Sequence, residues 1–215
     1  MKYLTTFKEL LMESLKDNKK MIIVFYVAFI LIMIAAWIVS SNVLSANPLP
    51  DFTNATTQTQ TGGYESAMDL FIHNELGGIM VYVSSILFGI AAIVSLVYNG
   101  MNIGATGALI SSLHPNGGLE YIIYLIPHGI FEFTATVIES TAGILLFLFI
   151  WRMIKAIIRS DEDEFGKKIS HAFEMHKKTL IQSLILMVFA TILLIIAAPI
   201  EAYLSVPISD LIVGN

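Results

Sequence analysis

The chain has 215 residues, 56% of them hydrophobic and 13% charged, with a net charge of -5, which suits one helical bundle rather than several domains. It has no Cys, which excludes disulfides, thiol catalysis and Cys-ligated iron–sulfur chemistry. There is no broad basic surface or zinc-type pattern, so no nucleic-acid partner is expected.

All twelve Lys and Arg fall within residues 2–20 and 152–178. Between and beyond these stretches run long apolar segments, at 21–40, 77–97, 131–151 and 180–198. Each is long enough to cross a hydrocarbon core of roughly 30 Å as a helix of about 20 residues. Basic residues stay on the cytoplasmic side near span ends, so both basic stretches are expected there. The chain is therefore read as a multi-pass cell-membrane protein whose first partner is the lipid bilayer.

Residues 1–20 carry Leu4, Phe7, Leu11 and Leu15 at helical spacing, with Lys8, Glu9, Lys16 and Asp17 elsewhere around the wheel. This pattern predicts a cytoplasmic amphipathic helix lying on the inner membrane surface. The apolar run that follows exceeds the usual signal-peptide length, so 1–40 is expected to be an uncleaved anchor. Residues 41–75 lack basic residues and are rich in Thr, Asn and Gln, which predicts an outer loop; Asn54-Ala-Thr56 within it is a glycosylation sequon. Next, His73-Asn74-Glu75 has the composition of a helix cap before the second span, 77–97.

Segment 99–113 is apolar but short, and Gly100, Gly104 and Gly107 interrupt it. The Gly100/Gly104 spacing permits tight helix contact, and Asn99 and Asn102 can hydrogen-bond across it. A crossing and a re-entrant loop both remain open for this segment. His114-Pro115-Asn116-Gly117-Gly118 is a strong turn. Residues 119–151 are too long for an untilted span, and Pro127 is expected to break them into a half-helix pair. Parity between the two basic stretches then gives about five spans in a bundle over 21–205. The N-terminus is inside, and a tail at 206–215 lies outside. The cytoplasmic loop 152–178 contains Asp161-Glu162-Asp163-Glu164, which favours a helix start. Phe165, Ile169, Ala172 and His176 then mark one helix face.

Ionisable groups inside spans cost several kcal/mol by insertion scales, so each calls for a role. His128, Glu132 and Glu139 share one face of the helix after Pro127, and Gly129 and Gly143 allow close approach there. With Glu201, Asn74 and Asn99 they form the candidate polar cluster. Three roles compete: hydrogen bonding between helices, a pathway or pocket for an ion or solute, and metal-assisted hydrolysis. A metal would need a third ligand from His73, Glu75, Glu139 or Glu201, and no cofactor or metal is identified by the sequence.

The order Asn74, Asn99-Gly100-x-x-x-Gly104, Pro127-His128-Gly129-x-x-Glu132 with Ala135 and Gly143, then Ile200-Glu201-Ala202 resembles the stage II sporulation protein M family. The resemblance covers most of residues 71–203. It implies an all-α, polytopic transmembrane scaffold or accessory subunit with protein partners in the membrane. In endospore formers that scaffold gathers cell-wall hydrolases during engulfment, and members also occur in bacteria and archaea that never sporulate. Thr134 stands where the family often has Pro, and Glu139 where it usually has a small residue. The rival classes are a transporter or channel component and an intramembrane metal-dependent hydrolase. The Gly-rich faces also suit a homodimer.

The charge pattern generates a test of sidedness. Thr57→Cys and Ser209→Cys should react with a membrane-impermeant thiol reagent in intact cells, and Ser170→Cys should not. Labelling of Ser170→Cys in sealed cells would overturn the inside assignment of the basic stretches.

Overall fold

A chain this apolar must satisfy its backbone polar groups within each segment, and helices do so without a neighbour. The computed structural model describes residues 2–47 and 66–213, with side chains from residue 6 onward, and among these residues all regular structure is helical. Most of the expected outer loop, its sequon and the last two residues of the tail lie outside the described residues.

Helix α1 runs from Lys2 to Ala46, and the expected amphipathic helix is its uninterrupted N-terminal part rather than a separate element. At 45 residues α1 is about 68 Å long. Its N-terminal part also touches the bundle: Ser14 is buried, and Leu11 and Leu15 pack against the core.

Helix α2 covers Ala67–Ser84, and Ser66 caps it by accepting from the Asp69 amide at 3.3 Å. The cap therefore precedes His73-Asn74-Glu75, which falls inside the helix, so the expected cap is corrected. The expected span 77–97 is also divided. After Ser84 the chain turns through Phe88 and Gly89, both with positive φ (62° and 67°), and the helical ladder ends there. Gly89 takes this conformation at no steric cost, whereas it is uncommon for a bulky residue such as Phe88.

Helix α3 is Ile90–Leu113, so the glycine segment belongs to one continuous 24-residue helix. Gly100, Gly104 and Gly107 are buried, and all three face α1. Gly100 meets Phe29 and Ile32, Gly104 meets Met33 and Ala36, and Gly107 lies against the Trp37 ring. Both series rise together, so α1 and α3 are parallel.

Chain reversal at His114–Asn116 follows the turn expected there and leads into α4, Gly117–Ile158. This helix has 42 residues and continues through Pro127, so no break occurs where one was expected. Proline removes one amide donor and crowds the preceding turn. Neighbouring helices and local adjustment sustain such a helix within a bundle.

Helix α5, Phe165–Ile200, begins directly after the acidic run 161–164. The expected cytoplasmic loop thus consists largely of the ends of α4 and α5. Of its proposed helix face, Ala172 is buried while Phe165 remains exposed. A π-helical segment, Glu201–Ser205, and a short α6, Val206–Val213, complete the described chain.

The most extensive contact is between α4 and α5. Ala135, Ile138, Ala142 and Leu145 of α4 mesh there with Leu186, Met187, Ala190 and Leu194 of α5. A second core joins Phe29, Leu96 and Val137, with the Phe29 and Phe133 rings 5.3 Å apart. Small residues on both helices permit this close packing. The basic ends of α1 and α5 meet as well, since Lys178 Nζ lies 2.7 Å from Glu13 and 2.9 Å from Asp17. Its hydrogen bond holds the Asp17 carboxyl below the ordinary carboxylate range.

Thr6–Ala46, Ile90–Leu113, Gly117–Ile158 and Phe165–Val213 are long and apolar enough to cross a membrane. Helix α2, which carries Asp69, His73, Asn74 and Glu75, is the polar fifth member of the bundle. Outward faces stay apolar: Val24, Val27, Leu31 and Ile38 of α1 are all more than half exposed, as a lipid-facing surface requires.

Gly104→Leu should disrupt the α1–α3 contact and sharply lower the yield of folded protein in detergent. A Cβ there would sit 2.9 Å from Ala36 Cβ and from the Trp37 amide nitrogen. Gly77→Leu should have much less effect, because no atom lies within 4 Å of a Cβ at that position. Size-exclusion yields of the two variants provide the comparison, and equal yields would contradict the packing described for Gly104.

Candidate functional site

Helical spacing on α4 places Tyr124, His128 and Glu132 on one face, one turn apart. Opposite this face stands the π segment. Pro199 removes an amide donor just before it, and Ser205 Oγ donates to the Ile200 carbonyl five residues back, at 3.2 Å. The wider turn carries Glu201 and Ser205 toward α4. Such π turns often sit at functional sites. Helix α2 supplies the third wall through Asn74.

Each principal member of the cluster is held by a neighbour on another element. Asn74 Nδ2 donates to Glu132 Oε1 at 3.0 Å, and Tyr124 Oη donates to Glu201 Oε1 at 3.3 Å. His128 Nδ1 and Ser205 Oγ share a hydrogen bond of 2.8 Å. The Tyr124 ring also meets the His128 ring edge-on, with centroids 5.2 Å apart. His128 is only 2% exposed. One potential ligand atom from each of His128, Glu132 and Glu201 lies within 4.8 Å of the others.

Of the cluster proposed from sequence, the structure brings together Asn74, His128, Glu132 and Glu201. Glu139 lies about two turns further along α4, its carboxylate against Gly78 of α2, three residues after Glu75. Thr191 of α5 donates to Glu75 Oε1 at 2.8 Å. Glu75 Oε2 and Glu139 Oε1 are buried and have no hydrogen-bond partner among the described residues. Gly78 makes room for this second acidic pair, since a Cβ there would lie 2.7 Å from the Glu139 carboxyl carbon.

Asn99 is not in the cluster. It turns back along α3 to the Ser95 carbonyl at 2.9 Å and hydroxyl at 3.2 Å. Gly129 is buried, and the atoms nearest a Cβ there belong to Leu125 and Phe133 of its own helix. Gly143 does face another element: a Cβ there would lie 3.0 Å from Ser85 Cβ and 3.2 Å from Ala92 Cβ. His73 is exposed on α2, outside the cluster.

Sequence reasoning missed Tyr124 and Ser205. Each signal was present as a spacing of four, Tyr124 before His128 and Ser205 after Glu201.

The family model described as Stage II sporulation protein M matches residues 21–206. An uncharacterized protein of Methanocaldococcus jannaschii is 41% identical over 66 residues, which are 30% of this chain and 35% of that relative. The chain thus matches only about a third of this curated relative's length. No solved structure matches the chain.

The Glu75–Glu139 pair yields a stability prediction. Glu139→Gln removes one of two facing acids and supplies an amide donor for the unpartnered oxygen of Glu75. It should stabilise the purified protein by about 1 kcal/mol, the net worth of a typical hydrogen bond. Thermal unfolding in detergent at neutral pH measures this, and a lower midpoint than wild type would show that the Glu139 carboxyl is itself required.

Proposed function

The chain belongs to the stage II sporulation protein M family, and from that premise we propose that it is an integral membrane scaffold or accessory subunit. In this reading the His/Glu cluster fastens helices. The observation that carries it is the cross-bonding of the polar groups: Asn74 to Glu132, His128 to Ser205 and Tyr124 to Glu201, each between different elements. Fastening of this kind fixes α2 and the C-terminal segment on α4, and so gives the outer apolar faces one defined shape for protein partners or a second copy.

The N-terminus and residues 152–178 are assigned to the cytoplasm, and the C-terminus to the opposite side. Clustering of Lys and Arg supports this orientation. So does the pairing of Lys178 with Glu13 and Asp17, which puts both basic stretches at one end of the bundle.

A transport reading draws on a different observation, the acids at two levels of α4: Glu132 beside Glu201 of the π segment, and Glu139 near Glu75 of α2. Reconstitution separates the two. A scaffold should leave proton and cation leakage of liposomes at the level of empty vesicles. Flux above that level, abolished by Glu132→Gln, would replace the scaffold with a transporter.

The fastening role has its own test. His128→Ala and Glu132→Ala should each lower stability by about 1–3 kcal/mol, because each strands a buried polar group. The double variant should lose less than the sum, as expected for members of one network. Single variants as stable as wild type in thermal unfolding would end this role for the cluster.

A further inference from the structure

We infer that His128, Glu132 and Glu201 form a binding site for one divalent first-row transition-metal ion, which closes the fastening described above. The proposal rests on that reading of the cluster and adds a ligand to it. Three observations meet here.

The first is the donor set. One imidazole nitrogen and two carboxylate oxygens from α4 and the π segment converge within 4.8 Å of one another. Zn²⁺ and Mn²⁺ both accept such mixed nitrogen and oxygen ligands. Ligand distances near 2.0–2.2 Å place the donor atoms of a Zn²⁺ site about 3–4 Å apart, so only a small contraction is needed.

The second is the surrounding hydrogen bonding. Ser205 holds His128 Nδ1, Asn74 holds Glu132 Oε1 and Tyr124 holds Glu201 Oε1. Each side chain carries a further possible ligand atom beside the one so held: Nε2 of His128 and Oε2 of each glutamate. Metal ligands are commonly oriented by bonds of this kind to the atom that does not bind the ion.

The third is charge. Two carboxylates this close in a bundle interior repel unless a proton or a cation stands between them, and the chain offers no Lys or Arg between residues 21 and 151 or after residue 178. A divalent cation with two carboxylates and a neutral imidazole sums to zero. The site is therefore neutral when filled, which suits a medium that penalises net charge.

The test uses tag-free full-length protein in detergent, stripped with a chelator and then titrated separately with Zn²⁺ and Mn²⁺. Bound metal is read by mass spectrometry of the filtered protein, and stability by thermal unfolding. Wild type should retain about one ion per chain and unfold at a higher temperature with it. Glu201→Gln and His128→Gln should abolish retention. Asn74→Ala, which removes only an orienting bond, should weaken it by about 10–100-fold. Glu75→Gln, in the separate acidic pair, should bind as wild type does.

Failure of wild type to retain either ion would overturn the proposal, as would retention unchanged by Glu201→Gln. The fastening reading fails differently, through His128→Ala unfolding at the wild-type temperature in the presence of chelator. If chelated wild type is still more stable than His128→Ala and no ion binds, the cluster fastens helices without a metal.

Discussion

Water is scarce inside a membrane bundle, so every polar side chain placed there must be answered by another part of the chain. This protein meets most of that requirement without basic residues, since its Lys and Arg are confined to residues 2–20 and 152–178, and among the described residues it leaves Glu75 Oε2 and Glu139 Oε1 unanswered. Its interior acids consequently depend on a side-chain amide and on hydroxyls. Those partners lie on other helices, and the need to reach them fixes how the helices are arranged. Glu132 draws in α2 through Asn74, Glu75 draws in α5 through Thr191, and Glu201 is tied to α4 through Tyr124.

Apolar packing and polar pairing divide the work by position. The α4–α5 seam is built of small and branched residues, with a polar tie at Ser183, which donates to the Ala142 carbonyl at 2.7 Å and also meets Tyr82. The α1–α3 seam relies on glycines that let Met33 and Trp37 approach closely. Helix α2 is different. It offers Phe71 and Tyr82 to the core, and Asn74, Glu75 and Tyr82 add hydrogen bonds to α4 and α5.

Much of this was legible in the sequence, for physical reasons that also explain the errors. Helical class and membrane association follow from run length and charge placement, which average over many residues. The turn at 114–118 follows from local composition. Pro127 was misleading because proline's cost depends on what surrounds the helix, and here α4 stays continuous. The real interruption, at Phe88–Gly89, carried only one glycine as a signal and lay within an apolar run. Among site residues, His128 and Glu132 stood out because charge is rare in a span. Glu139 shares their face, yet its partner is Glu75, and only the position of α2 could reveal that pairing. Asn99 was chosen for polarity alone, and a local bond to Ser95 satisfies it instead.

The continuity of α4 has a consequence for how such a chain can change over time. Tyr124, His128, Glu132 and Glu139 project from a single uninterrupted helix, with no loop among them to absorb a change in length. One residue inserted between Glu132 and Glu139 would turn everything beyond it by about 100° and shift it by about 1.5 Å. Glu139 would swing away from Glu75 while Glu132 kept hold of Asn74, and α2 could not follow both. The distance between the two acidic layers is therefore a fixed count of residues, open to substitution but closed to insertion and deletion.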